Sequence, residues 1–156
     1  MSENNLVSIA IPTMNHSRLL AGAITSIINQ SYKNWELLIL DNNSSDNTEE
    51  IVNNLKNEKI QYIKSNKTLT MTQNWERAFK YAKGKYFIKI DDDCTLFPDF
   101  LEQSIKIFNE KKSTVIFFNY YVQILPDTFY SILEKKNNII ELDYKKIIFL
   151  EFLMLS

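Results

Sequence analysis

The chain has 156 residues, 45% of them hydrophobic, and a formal net charge of −1 from 18 basic and 19 acidic side chains. That length suits one ordinary hydrophobic core, and the balanced charge gives no general pull on nucleic acid or anionic lipid. One cysteine, Cys94, excludes an internal disulfide framework and a cysteine-rich zinc site, and the single His16 argues against a histidine-based metal centre.

The opening residues, MSENNLVSIAIP, lack the basic-then-apolar pattern of a signal peptide. The apolar runs are shorter than a membrane span, so a cytoplasmic location is expected. Residues 6–11 form an apolar run stopped by Pro12, which predicts a central parallel strand ending at a loop. Residues 16–30 carry Leu19, Leu20, Ala23, Ile24, Ile27 and Ile28 at helical spacing. A second strand is predicted over 35–40, ending in DNNSSDNTEE, whose Ser and Asp residues can cap a helix beginning near Asn47. Glu49 and Glu50 suit the first turn of that helix. A short strand over 60–64, a helix over 72–82 closed by Gly84, and a fourth strand over 86–90 follow. A helix over 98–111 and a fifth strand over 115–118 complete the pattern. Such alternation predicts an α/β fold with a mostly parallel sheet and helices on both faces.

Three polar clusters fall just past the carboxyl ends of predicted strands: Pro12, Thr13 and Asn15; Asp41; and Asp91, Asp92 and Asp93. In open α/β sheets ligands bind at that edge. Residues 1–120 are expected to form the core. Residues 121–156 read as a helical or irregular tail, either a closing amphipathic helix or the start of a further region.

The aspartate run admits three readings. It can be an acidic, solvated cap of the helix after Pro98, with Asp99 in the first turn. Confined carboxylates repel unless solvated or paired with a cation, and Asp91 and Asp93 offer the oxygen ligands that Mn2+ or Mg2+ prefers. The string YFIKIDDDCT also resembles the opening motif of haloacid-dehalogenase-like phosphatases, which would make Asp91 a nucleophile, Asp93 a general acid and Thr95 a supporting residue. That motif usually opens the catalytic core, whereas about half of this chain precedes it, and the later acidic pair for magnesium is missing.

Taken together, VSIAIPTMNH, SIINQSYKNWELLILDNNSSDNT and IQYIKSNKTLTMTQNWERAFKYAKGKYFIKIDDDCTLFPDFL resemble the nucleotide-sugar-binding half of the family 2 glycosyltransferases. These are GT-A fold (Rossmann-like) enzymes of bacterial surface-polysaccharide synthesis. The resemblance implies transfer, with inversion, from a nucleotide-diphosphate sugar, typically UDP-linked, to a saccharide or lipid-linked acceptor. Pro12, Thr13 and Asn15 would line the nucleoside pocket, and Asp41 would accept a hydrogen bond from the base. Asp91 and Asp93 would be the metal-binding ends of the Asp-X-Asp motif, with Asp92 its replaceable middle, all three at the nucleotide sugar. Asn66 and Asn74 match positions flanking the third loop. On the residues alone, Asp41 reads more often as a turn or cap residue, Asn66 and Asn74 can be turn and cap residues, and Trp35 and Trp75 read as core.

Two departures stand out. Thr68 and Gln73 occupy places where the family often has Gly and Arg, and losing Arg removes a charge-assisted partner for a diphosphate; Lys64 or Lys67 is the available substitute. The chain also stops at Ser156, earlier than a complete member is expected to, so no catalytic base is assigned. Glu134, Glu141, Asp143 and Glu151 are the remaining acidic candidates, each also suited to a helix surface. A catalytically silent remnant or nucleotide-binding partner subunit is the alternative. Either form is expected at the inner face of the membrane or in a homo-oligomer, where apolar surface left by a missing acceptor half would be covered.

Overall fold

A computed structural model describes residues 5–111 of the chain. The chain divides into two compact units, Met1–Glu102 and Gln103–Ser156, and the sheet lies in the first. Strands β1 (Val7–Thr13), β2 (Trp35–Asp41), β3 (Ile60–Lys64) and β4 (Tyr86–Lys89) alternate with helices α1 (Ser17–Ile28), α2 (Thr48–Asn54), α3 (Met71–Tyr81) and α4 (Phe100–Lys111). All pairings are parallel, in the order β3-β2-β1-β4. The expected α/β sheet is present; the expected fifth strand and the 121–156 tail lie outside the described residues.

Burial explains the sequence pattern. Leu37, Leu38, Ile39 and Leu40 are all fully buried, as are Ile9, Ala10 and Ile11, because β1 and β2 are covered on both faces. Ala10, Leu38, Leu40 and Ile63 point to one face and pack with Ala78 of α3. The alternate residues Ile9, Ile11, Leu37 and Ile39 point to the other, where α1 buries Leu20, Ala23, Ile24 and Ile27. Right-handed crossovers account for this: α1 and α2 follow steps in one direction across the sheet, and α3 follows the step back past β1 to β4. Winding therefore reverses between β1 and β4.

Several local expectations are corrected. Pro12 does not stop β1, which continues through Thr13 paired with Asp41. The Ala10 carbonyl accepts from the Ile90 N–H, and the Thr13 carbonyl from the Asn42 N–H. By strand alternation the Pro12 nitrogen faces the β4 side, past the last ladder pair, Ala10 with Lys89. Proline costs β1 nothing against β2 and ends its pairing with β4.

Gly84 does not close α3. That helix ends at Tyr81, with Ala82 extended, and Gly84 lacks a positive φ. A Cβ there would stand 2.6 Å from both the Leu6 carbonyl and the Ser8 nitrogen, so glycine is required by close approach to β1. The expected capping of α2 by an acidic loop residue is present: Asp46 accepts from the Thr48 N–H at 3.1 Å, and Asn47 makes no side-chain cap bond. Glu49 and Glu50 do occupy its first turn. Trp35 is core, whereas Trp75 is half-buried with the Lys89 ammonium 3.9 Å from its ring centre.

Candidate functional site

The carboxyl edge of the sheet is stitched together by side chains from successive strand tips. Asn15 adopts a left-handed conformation (φ 58°), which asparagine tolerates better than most residues. Its N–H donates to Ser44 Oγ at 2.9 Å, and its Oδ1 accepts from the Ser45 N–H at 2.8 Å. Asp46 reaches across to accept from the Ser17 N–H at 3.0 Å, capping α1 as well. Although desolvation acts against it, hydrogen bonds from Thr48 and Ser17 hold the Asp46 carboxyl down at about 2. The β1 and β2 loops are thus one hydrogen-bonded body.

Asp41 lies fully buried at the end of β2. One oxygen accepts from the Ser44 N–H at 2.8 Å and the other from the Tyr62 hydroxyl. Burial, then that hydrogen bond, raises the Tyr62 hydroxyl well above the ordinary phenol range. Asn74 is also buried: its amide donates to the Leu40 carbonyl at 3.0 Å, and its oxygen accepts from Arg77 at 2.7 Å. Arg77 further donates to the Asp41 and Ile63 carbonyls at 3.3 and 2.8 Å, clamping the ends of β2 and β3. Asn42 joins this tip to the α3 entry through reciprocal bonds with the Leu69 backbone at 3.0 and 2.8 Å. Asn66 is exposed. Gln73 forms a capping box with Thr70, and Lys64 pairs with Glu49 at 2.9 Å.

At the β4 tip the arrangement is open. Asp91 and Asp93 are exposed, and their carboxylate oxygens lie with Cys94 Sγ within 4.8 Å of one another. The Cys94 N–H donates to the Asp91 carbonyl at 3.2 Å, folding the turn that brings them together. Lys89 donates to Asp91 at 3.1 Å. Burial, then the charges of Asp93 and Asp91, pushes the Cys94 thiol up, so it stays protonated near neutral pH and donates to Asp93 at 3.7 Å. Two exposed carboxylates at this spacing fit a hard divalent cation; a protonated thiol adds little for such an ion. Asp92, expected to be the replaceable middle residue, instead turns inward. It is buried and accepts from Thr13 Oγ1 at 2.6 Å and from His16 Nδ1 at 3.1 Å.

Sequence reading missed Arg77, Asn42 and Tyr62, and gave His16 no role at this edge. Arg77 carries a usable signal, since it follows Asn74 by one helical turn and shares its face. Glu134, Glu141, Asp143 and Glu151 lie outside the described residues.

A family model described as Glycosyl transferase family 2 matches residues 8–153. The chain belongs to that family. The phosphatase reading of the aspartate run falls with this match. A UDP-Glc:alpha-D-GlcNAc-diphosphoundecaprenol beta-1,3-glucosyltransferase of Escherichia coli, WfaP, is 31% identical over 118 residues, covering 76% of this chain and 47% of that protein. A second E. coli enzyme of the same description, WfgD, is 29% identical over 120 residues, covering 77% and 47%. The chain thus spans about half the length of these relatives.

Among solved structures, S. aureus TarS 1-349 in complex with UDP-GlcNAc superposes with a TM-score of 0.65 at 21% identity, covering 69% of this chain and 32% of that one. The mannosyltransferase PcManGT from Pyrobaculum calidifontis, in complex with GDP-Man and Mn2+, gives 0.62 at 20% identity, covering 65% and 32%. At these identities the likeness establishes a shared GT-A-like fold. No helix among the described residues is long and apolar enough to cross a membrane.

Proposed function

We propose that this chain carries the donor-binding part of an inverting, metal-assisted glycosyltransferase. The donor is a nucleotide-diphosphate sugar, UDP-linked as in the names of the E. coli relatives. The acceptor is a saccharide or lipid-linked glycan, met at the inner face of the membrane. The observation that carries this reading is the exposed Asp91 and Asp93 pair, set where winding reverses between β1 and β4. Such reversals open a ligand crevice at the carboxyl edge of an α/β sheet.

Asp91 and Asp93 would hold Mn2+ or Mg2+, which supplies charge neutralisation for the diphosphate as it departs. Pro12, Thr13 and Asn15 form the β1 wall of the nucleoside pocket, and exposed Asn66 stands on the third loop. Asp41 and Asn74 support that wall from beneath, since their polar atoms are already engaged within the protein. A base reaching the buried Asp41 would share its carboxylate with the Ser44 N–H and the Tyr62 hydroxyl. The acceptor hydroxyl must lose its proton as it attacks the anomeric carbon opposite the leaving diphosphate.

Calorimetric titration with UDP, with and without Mn2+, tests this reading. We expect omission of Mn2+ or Asp93→Ala to weaken UDP binding by about tenfold or more. Equal UDP affinity with and without the metal would refute the donor-site assignment. Asp93-dependent sugar transfer or donor hydrolysis would separate an enzyme from a silent nucleotide-binding subunit.

A further inference from the structure

We propose that Asp92, gripped by Thr13 and His16, is a positioning residue that sets Asp91 and Asp93 at ligand spacing before a cation arrives. This rests on the reading of Asp91 and Asp93 as the cation-holding pair.

Backbone pairing between β1 and β4 ends where Pro12 has no N–H to offer, and the last bond runs from the Ile90 N–H to the Ala10 carbonyl. Past that point β4 is free to peel away from β1. The Asp92 carboxylate takes over the tether, joined to Thr13 and His16 across 79 and 76 residues of chain. An ionised carboxylate only accepts, so the Thr13 hydroxyl donates to one oxygen and His16 Nδ1–H to the other. The Asp92 side chain is 11% exposed and Thr13 is buried, so this contact is held inside the protein, whereas the His16 ring is 57% exposed.

Alternation along β4 explains the result. Phe87 and Lys89 point to the α3 face with Ala10, so an extended continuation puts Asp91 on that face and Asp92 opposite, beside Thr13. The Cys94 N–H bond to the Asp91 carbonyl then turns the chain so that Asp93 returns to Asp91. Two like charges brought this close repel, and an untethered loop would relax by spreading them. Fixing the loop in advance removes an ordering cost that a binding cation would otherwise meet. Residues that orient metal ligands typically change metal affinity by about 10- to 100-fold.

The test is Mn2+ binding to the full chain without nucleotide, read from the electron paramagnetic resonance signal of free Mn2+, with Tm measured on each sample. Asp93→Ala serves as the site control. We expect Thr13→Val to weaken Mn2+ binding about tenfold, and Thr13→Ser, which keeps the hydroxyl, to stay within about threefold of the native chain. His16→Ala removes only an exposed ring, should fold in any case, and is expected to weaken binding severalfold with little change in Tm. Native Kd values in folded Thr13→Val and His16→Ala would overturn the positioning role alone. A native chain without Asp93-dependent Mn2+ binding would overturn this role together with the site reading beneath it.

Discussion

β2 ends in Asp41 and β4 is followed, past Ile90, by Asp91 to Asp93 at the same edge of one sheet, yet the two tips are built differently. β2 lies between β1 and β3, so Asp41 is enclosed from both sides, and Ser44 and Tyr62 occupy its two oxygens. β4 lies at one margin of the described sheet, beside a strand whose Pro12 ends the ladder early. Its tip keeps one aspartate inward, Asp92, and leaves Asp91 and Asp93 outside. Asp41 is thus a structural anchor, in register with the last residues of both neighbouring strands, whereas Asp91 and Asp93 lie past the end of the β1–β4 ladder and stay exposed. The number of donors the surrounding backbone and side chains bring to each carboxylate separates the two tips.

Substitutions at the two tips should separate them. The largest effect is expected for Asp41→Ala, which leaves the Tyr62 hydroxyl and the Ser44 N–H without an acceptor. Each such group costs about 1–3 kcal/mol, so a loss of about 3 kcal/mol in urea unfolding is predicted. Next comes Arg77→Met, which removes the clamp from the Asp41 and Ile63 carbonyls and from Asn74. About 2 kcal/mol should be lost by the same measurement.

Asp46→Asn should cost about 1 kcal/mol or less near pH 7, since Asp46 caps both α1 and α2 from an exposed position. Its pH dependence has a definite sign. The folded carboxyl sits at about 2, below the ordinary 3.8, so its contribution is present above pH 3.8 and is lost as pH falls toward 2. The Tm gap between native and Asp46→Asn chains should close over that interval. Smallest of all, Asp93→Ala should change unfolding stability by no more than about 0.5 kcal/mol while removing Mn2+ binding. Equal stability losses at Asp41 and Asp93 would erase the distinction between the tips.

Much of the fold was legible because its signals are local. The β2 run WELLILD reads as a strand, and the spacing of Leu20, Ala23, Ile24 and Ile27 marks the inner side of α1. The ordered motifs also pointed to the family. Legibility failed where a residue's partner is remote in sequence. Gly84 looked like a helix stop, but its role depends on Leu6 and Ser8 more than seventy residues earlier. Lys64 looked available for a diphosphate, but Glu49 holds it.

The sequence by itself determined the alternation of strands and helices, the parallel sheet and the gathering of Asp41 and Asp91 to Asp93 along one edge. Periodicity and strand polarity are properties of neighbouring residues, so they can be read in one dimension. Tertiary structure alone decided which carboxylates face outward. Burial and hydrogen-bond satisfaction depend on what the rest of the chain brings to each oxygen: Tyr62 and Ser44 to Asp41, Thr13 and His16 to Asp92.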